Sequence, residues 1–258
     1  MTGGPLTVKL GGLAGAHRSS LEVIAARADR SCVVVHGGGN EVADWSRRLG
    51  VEIRFHDGLR VTDPATLDVA VAVLAGLVNA RLVAAFAAAG RPAVGLSGAD
   101  AGMLRLERAD PALGEVGRVV GADTTVLELL TDAGLLPVVS SIGIDGGGAL
   151  LNVNADEAAG VIAAARGGRL LLCSDVPGVA REGGTLGELS TEDATRMLTD
   201  GSATAGMLPK LNAAITAARA GCDVWILDGR SADAVATALG GGAVGTRITA
   251  TAGAEIRL

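Results

Sequence analysis

The sequence predicts an α/β protein, a three-layer αβα sandwich around a mainly parallel open sheet, arranged as two lobes. Three observations lead there. Short runs rich in Val, Ile and Leu alternate with helical periodicities along the chain. The runs are apolar at nearly every position, as in strands covered on both faces. Several stop at Gly, Ser or Asp, where ligand loops open at the carboxyl ends of strands.

Residues 6–10 form the first strand, ending at Gly11-Gly12. Ser19 and Glu22 have the spacing of a capping box and predict a helix start. Residues 31–35 are a β-branched strand running into His36-Gly37-Gly38-Gly39, after which Asn40 is expected to cap a helix reaching 49. Residues 66–89 read as one long helix, and 92–96 as a strand. The runs 103–108 and 116–120 flank Asp110-Pro111 as a hairpin. Thr125 and Glu128 make a second capping-box pattern before a strand at 136–140. A glycine turn at 145–148 separates two short strands, and Asn154 caps a helix to 165. The strand 169–173 ends at Ser174-Asp175. Helices at 191–198 and 208–220, a strand at 224–227 ending at Asp228, a helix at 232–239 and a strand at 246–249 complete the reading. The lobe boundary is placed at Gly167-Gly168, giving lobes 1–167 and 168–258.

Bulk properties narrow the function. Apolar residues make up 49%, enough for a large core, and the net charge of −6 argues against a nucleic-acid binder. Trp45, Phe55, Phe86 and Trp225 are too few and scattered for a base-stacking platform. Cys32, Cys173 and Cys222 lie in or beside strand-like runs without metal-ligand spacing, as buried thiols of a reducing cytoplasm would. No signal-peptide pattern opens the chain, and the apolar stretch 69–78 is shorter than the roughly 20 residues a span needs. A cytoplasmic protein with no membrane partner is expected.

The chain holds two lysines, Lys9 and Lys210, against twenty arginines. An ammonium is a compact point charge and a guanidinium a flat fork, so a lysine kept in such a chain marks a place where the fork fails. Each lies close to glycines. Gly11-Gly12 and Gly37-Gly38-Gly39 follow strands and precede helices, where backbone N–H groups can approach an anion. Neither has the dinucleotide fingerprint or a Walker lysine, which argues against a nicotinamide-dependent dehydrogenase. His36 ends a strand and suits a satisfied structural role as well as any other.

The ordered motifs carry a resemblance. They are Val8-Lys9-Leu10-Gly11-Gly12, Val35-His36-Gly37-Gly38-Gly39, Gly58-Leu59-Arg60-Val61-Thr62 and Gly76-Leu77-Val78-Asn79. Asn152-Val153-Asn154-Ala155-Asp156, Ser174-Asp175-Val176-Pro177-Gly178, Gly206-Met207-Leu208-Pro209-Lys210 and Gly245-Thr246-Arg247-Ile248 follow. In this order the set resembles the amino acid kinase superfamily, and within it the N-acetyl-L-glutamate kinases of the short, dimeric, arginine-insensitive type. The resemblance implies the amino acid kinase fold, with substrate binding and dimerisation in the first lobe and ATP binding in the second. It also implies phosphoryl transfer from ATP to a side-chain carboxylate, with Mg²⁺ entering on the nucleotide and no dedicated protein metal site. It gives Lys9 and Lys210 to the transferring phosphoryl group and sets Asp156 between them as an anion that is not a base. Gly38, Gly39, Arg60 and Asn152 would hold the substrate, Arg60 on its α-carboxylate. Gly11 and Gly12 would face the phosphates. Asp175, Val176, Pro177, Gly178, Val179 and Ala180, with Ser202, Ala203 and Thr204, would line the nucleotide. The helix at 66–89 would build a homodimer. Ala205, and the turn 97–102, depart from the family's pattern. Two rivals stand beside this reading: a kinase of carrier-bound aminoadipate, and a non-catalytic regulatory module. Arg60 followed by Val61-Thr62-Asp63 favours the free acetylated substrate, and the two lysines with Asp156 favour catalysis.

Overall fold

The structure is a computed structural model and describes residues 4–11, 17–56, 59–181 and 184–250; for Phe55, His56, Leu59 and Arg60 it describes the backbone alone. In chain order the elements are β1 (Leu6–Leu10), α1 (Arg18–Arg27), β2 (Cys32–His36), α2 (Gly39–Arg48), β3 (Arg54–His56) and β4 (Leu59–Val61). A continuous helical stretch follows: α3 (Pro64–Val71), a π-helical segment (Ala72–Val78) and α4 (Asn79–Ala88). Then come β5 (Ala93–Ser97), β6 (Leu104–Arg108), β7 (Gly117–Ala122), α5 (Thr125–Asp132), β8 (Leu136–Ser140), β9 (Ile142–Ile144), β10 (Leu150–Asn152) and α6 (Ala155–Arg166). The rest is β11 (Arg169–Ser174), β12 (Ala180–Arg181), β13 (Gly184–Thr185), β14 (Glu188–Ser190), α7 (Thr191–Thr199), α8 (Leu208–Arg219), β15 (Asp223–Asp228), α9 (Ala232–Leu239) and β16 (Thr246–Thr249).

Eight strands form the main sheet in the order β14-β16-β15-β11-β1-β2-β8-β5. Every neighbouring pair is parallel except β15 with β16. The sheet runs without a break across the division at 167/168, because β1 pairs with β11. Side chains alternate between two cores, as strand geometry requires. Val33, Val35, Leu170 and Leu172 meet α6 and α8 on one face, while Val34, Leu171, Leu21, Leu82 and Phe86 pack on the other. A four-stranded sheet, β10-β9-β6-β7, carries the expected hairpin and the glycine turn.

Several local expectations need correction. Ser19 does not cap α1; the helix starts earlier, with His17 at its N-cap, and Glu22 pairs with Arg18 four residues before it. Thr125 does not cap α5, since its own N–H is taken by the Asp123 carboxylate and Glu128 reaches out to Arg166. Asn40 lies inside α2, which Gly38 precedes. The long helix starts at Pro64, with Asp63 accepting from the Thr66 N–H. At 25 residues it is long and apolar enough to cross a membrane, unlike the stretch 69–78 alone. Here one side of it, including Val69, Val73, Val78, Leu82 and Phe86, is buried in the second core. Asn154 does cap α6, accepting from the Asp156 and Glu157 N–H groups. All three cysteines are free and buried.

Candidate active site

The site begins with the alternation of β1. Leu6, Val8 and Leu10 point into the second core, so Thr7 and Lys9 point to the opposite face, where α6 lies. The helix is held at both ends. At its carboxyl end the buried Arg166 guanidinium donates to Leu6 O, to Thr7 Oγ1 and to Ser31 O. At its amino end Asp156 meets Lys9, with Nζ 2.7 Å from Oδ1. That contact has ion-pair distance without hydrogen-bond angles.

The second lysine comes from α8. Lys210 stands in that helix's first turn and donates from Nζ to Asp156 Oδ2 at 3.3 Å. An ammonium near the positive end of a helix is disfavoured, whereas Asp156 in the first turn of α6 is favoured. One carboxylate thus joins two cations from opposite halves of the sequence. The helices can bring them together because they touch backbone to backbone. A Cβ on Gly160 of α6 would lie 2.8 Å from Ala213 O and 2.9 Å from Ala213 Cα on α8.

Electrostatics follow from burial. Burial pushes the Lys9 ammonium pKa down and Asp156 only partly offsets it, with Lys210 adding to the fall. Burial alone would raise the Asp156 carboxyl, but the Lys9 and Lys210 charges outweigh it and hold the group below its usual range. Asp156 is therefore a fixed anion at neutral pH and no proton acceptor. Burial also pushes the Cys173 thiol up to about 12, so it remains protonated.

Two cavities flank this triad, one lined by Lys210 and the other by Lys9 and Asp156. The larger, of about 490 Å³, is lined by Gly11, Ser174, Asp175, Val176, Thr204 and Lys210. Gly11 is pressed on the end of β11: its N–H donates to Cys173 O, and a Cβ there would stand 3.0 Å from that oxygen. The smaller, of about 220 Å³, is lined by Lys9, Gly37, Gly38, Gly39, Asn152 and Asp156. Both lie at the carboxyl ends of β1, β2 and β11, as ligand sites of parallel sheets do.

The other anticipated residues fall differently. Gly12 lies outside the described residues, and so does the Arg60 side chain, although the β3–β4 hairpin places its backbone opposite Phe55. Pro177, Gly178, Val179 and Ala180 are not among the described residues lining the larger cavity. Val179 is buried, with its N–H on Thr246 Oγ1, and Ala180 opens the β12–β13 hairpin. Ser202 and Ala203 sit beside the cavity loop, their N–H groups on Asp200 Oδ1 and Met197 O. Asn152 donates toward Thr62 Oγ1 at 3.5 Å.

Sequence reasoning missed Ser141 in the smaller cavity and His17, Asn40 and Arg230 in the larger. Arg230 is forked onto Asp228 through Nε and Nη2, both at 2.8 Å. The position of Asp228 at a strand's carboxyl end was the available signal for that pair.

A family model for the amino acid kinase family matches residues 8–228. A curated acetylglutamate kinase from Rubrobacter xylanophilus is 44% identical over 246 residues, 94% of this chain and 96% of that protein. One from Methanopyrus kandleri is 47% identical over 209 residues, 76% of this chain and 85% of its own length. An N-acetylglutamate synthase structure from Neisseria gonorrhoeae, complexed with coenzyme A and N-acetyl-glutamate, superposes with a TM-score of 0.82 at 26% identity, over 98% of this chain and 61% of that one. A Giardia carbamate kinase shares the fold at a TM-score of 0.62 and 18% identity, over 96% and 99% of the two chains. The ordered motifs, the two-lysine site on a parallel sheet and these relatives agree: the chain belongs to the amino acid kinase family and, within it, to the acetylglutamate kinases.

Proposed function

We propose that this protein moves the γ-phosphoryl group of ATP onto the side-chain carboxylate of N-acetyl-L-glutamate, giving N-acetyl-L-glutamyl 5-phosphate and ADP in arginine biosynthesis. The observation that carries it is the convergence of Lys9 and Lys210 on Asp156 between two cavities. A carboxylate nucleophile is ionised at neutral pH, so no base is needed. The oxygen–phosphorus bond to the acceptor forms as that to ADP breaks, and no proton moves. The obstacle is repulsion between two anions, roughly 4 kcal/mol for unit charges ~4 Å apart at an effective dielectric near 20. Two ammoniums offset it, and catalysis is then positioning and charge neutralisation.

In this reading Lys9 and Lys210 are catalytic residues at the phosphoryl group, and Asp156 fixes their separation. The smaller cavity takes the acceptor, through Gly38, Gly39, Asn152 and the Arg60 guanidinium. The larger takes ATP, with Gly11 and Gly12 at its phosphates and the loops of Asp175–Ala180 and Ser202–Thr204 around the rest. Asp156 has a lysine on each oxygen, which leaves it unsuited to a metal, so Mg²⁺ rides on the nucleotide's phosphates. The acceptor lobe spans 1–167 and the nucleotide lobe 168–258. The enzyme works in the cytoplasm as a homodimer built on the long apolar helix.

The test is a substrate panel with MgATP, read as ADP release and as hydroxamate trapped from the acyl phosphate. Turnover of N-acetylglutamate is expected. Turnover of an aminoadipyl carrier instead would reassign the acceptor, and ligand binding without any turnover would make the protein a regulatory module.

A further inference from the structure

A polar network beneath the glycine loop has no part in the chemistry above. His36 is fully buried at the end of β2, and Asn79, 3% exposed, opens α4 directly after the π-helical segment. Asn79 Nδ2 lies 2.8 Å from Val138 O, 3.1 Å from Leu96 O and 3.1 Å from His36 Nε2. Two of these partners are carbonyls, which only accept, so they fix the amide with its nitrogen toward them. That nitrogen has only hydrogens to offer. His36 Nε2 is therefore the bare nitrogen, and Nδ1 carries the ring's proton. Nδ1 sits 2.9 Å from Gly37 O and donates to it.

A trans peptide points its C=O and N–H in opposite directions. With Gly37 O held on the buried ring, the Gly38 N–H is turned away from that ring, and Gly37, Gly38 and Gly39 line the smaller cavity. This N–H has no acceptor among the described residues. The surroundings keep room for the arrangement. A Cβ on Gly95 would stand 1.9 Å from Asn79 Oδ1, and one on Gly38 would stand 2.8 Å from Leu74 of the π segment.

We infer that Asn79 and His36 are positioning residues: through the Gly37 carbonyl they aim the Gly38 N–H at an oxyanion in the smaller cavity, the acceptor carboxylate or the phosphoryl oxygens it gains. The inference rests on reading that cavity as the acceptor site. The ring's pKa, pushed down to about 4 by burial, keeps it neutral in the required tautomer across the working range.

Two substitutions separate the ring nitrogens. His36→Asn keeps a donor near the Nδ1 position, while His36→Gln keeps an acceptor toward Asn79 and gives up the donor to Gly37. Steady-state kinetics are expected to show kcat down by at least ~10-fold in His36→Gln, part of the loss of an oxyanion donor, with KM for ATP unchanged. His36→Asn should recover most of it. Gly95→Ala, which touches no ligand, should lower kcat in the same way by displacing Asn79, and serves if His36→Gln does not fold. Native kcat in both His36→Gln and Gly95→Ala overturns the inference. So does a loss matched by equal falls in ATP affinity and Tm, or no rescue by asparagine. Failure of the wild type on every carboxylate acceptor would instead sink the reading of the site.

Discussion

Lys210 holds its charge against the field of its own helix, and among the described residues its ion-pair partner there is Asp156. A guanidinium at that position would keep the charge but spread it over a fork that one carboxylate oxygen cannot centre. Lys210→Arg is expected to cut kcat by more than ~100-fold, about 2.7 kcal/mol of transition-state stabilisation, with little change in Tm. Near-native turnover would remove Lys210 from the chemistry. His36 gives a pH signature instead. Its pKa falls from 6.5 unfolded to about 4 folded, so the unfolded chain binds the proton more readily between those values. Stability should be full above pH 6.5 and decline toward pH 4, by ~3 kcal/mol from this residue. Urea midpoints at pH 7 and 4.5 should differ less in His36→Gln; an equal difference would contradict this. At this scale the triad was legible because lysine is so scarce that each survivor stood out. Ser141 and Arg230 were not, since serines and arginines abound and only folding brings these two to the cavities.

At the scale of elements, α6 and α8 form one joint. Gly160 lets Ala213 approach to backbone contact, and each helix carries one arm of the charge triad a turn or so away. Gly160→Ala would gain ~1 kcal/mol of helix propensity yet force two backbones apart. The crowding should win, giving a net loss of about 1–2 kcal/mol by denaturant titration. Asp156 and Lys210 would also separate, so kcat should fall although residue 160 touches no ligand. A stable variant with native kcat would count against the joint. The strands and most helices could be read from hydrophobic runs, but three helix starts could not. Ser19, Asn40 and Thr125 have capping side chains, yet each sits inside its helix because the N-cap position falls one or two residues upstream, at His17, Gly38 and Thr124. Asn154 is a true cap, its side chain accepting from the Asp156 and Glu157 N–H groups. The β3–β4 hairpin and the π-helical segment leave no distinct periodic signature.

At the scale of the molecule, the sequence showed that a parallel sheet exists but not the order of its strands. Order depends on β1 taking β2 on one side and β11, some 160 residues later, on the other, which local patterns do not encode. The edge strand β5 and the exposed flank of the long helix remain, and the helix is the surface proposed for the dimer. Light scattering is expected to give twice the chain's 25.5 kDa, and a monomer mass would contradict that surface.

The seam at Gly160 also sets a lever. If residues 1–167 rocked against 168–258, the line where α6 and α8 share backbone contact would be the natural axis. Points on that axis travel least, and Asp156 and Lys210 are among the nearest to it. Such a molecule could gape to admit a nucleotide and shut again while its charges stay in register, as the rivet of a pair of shears stays still while the blades move.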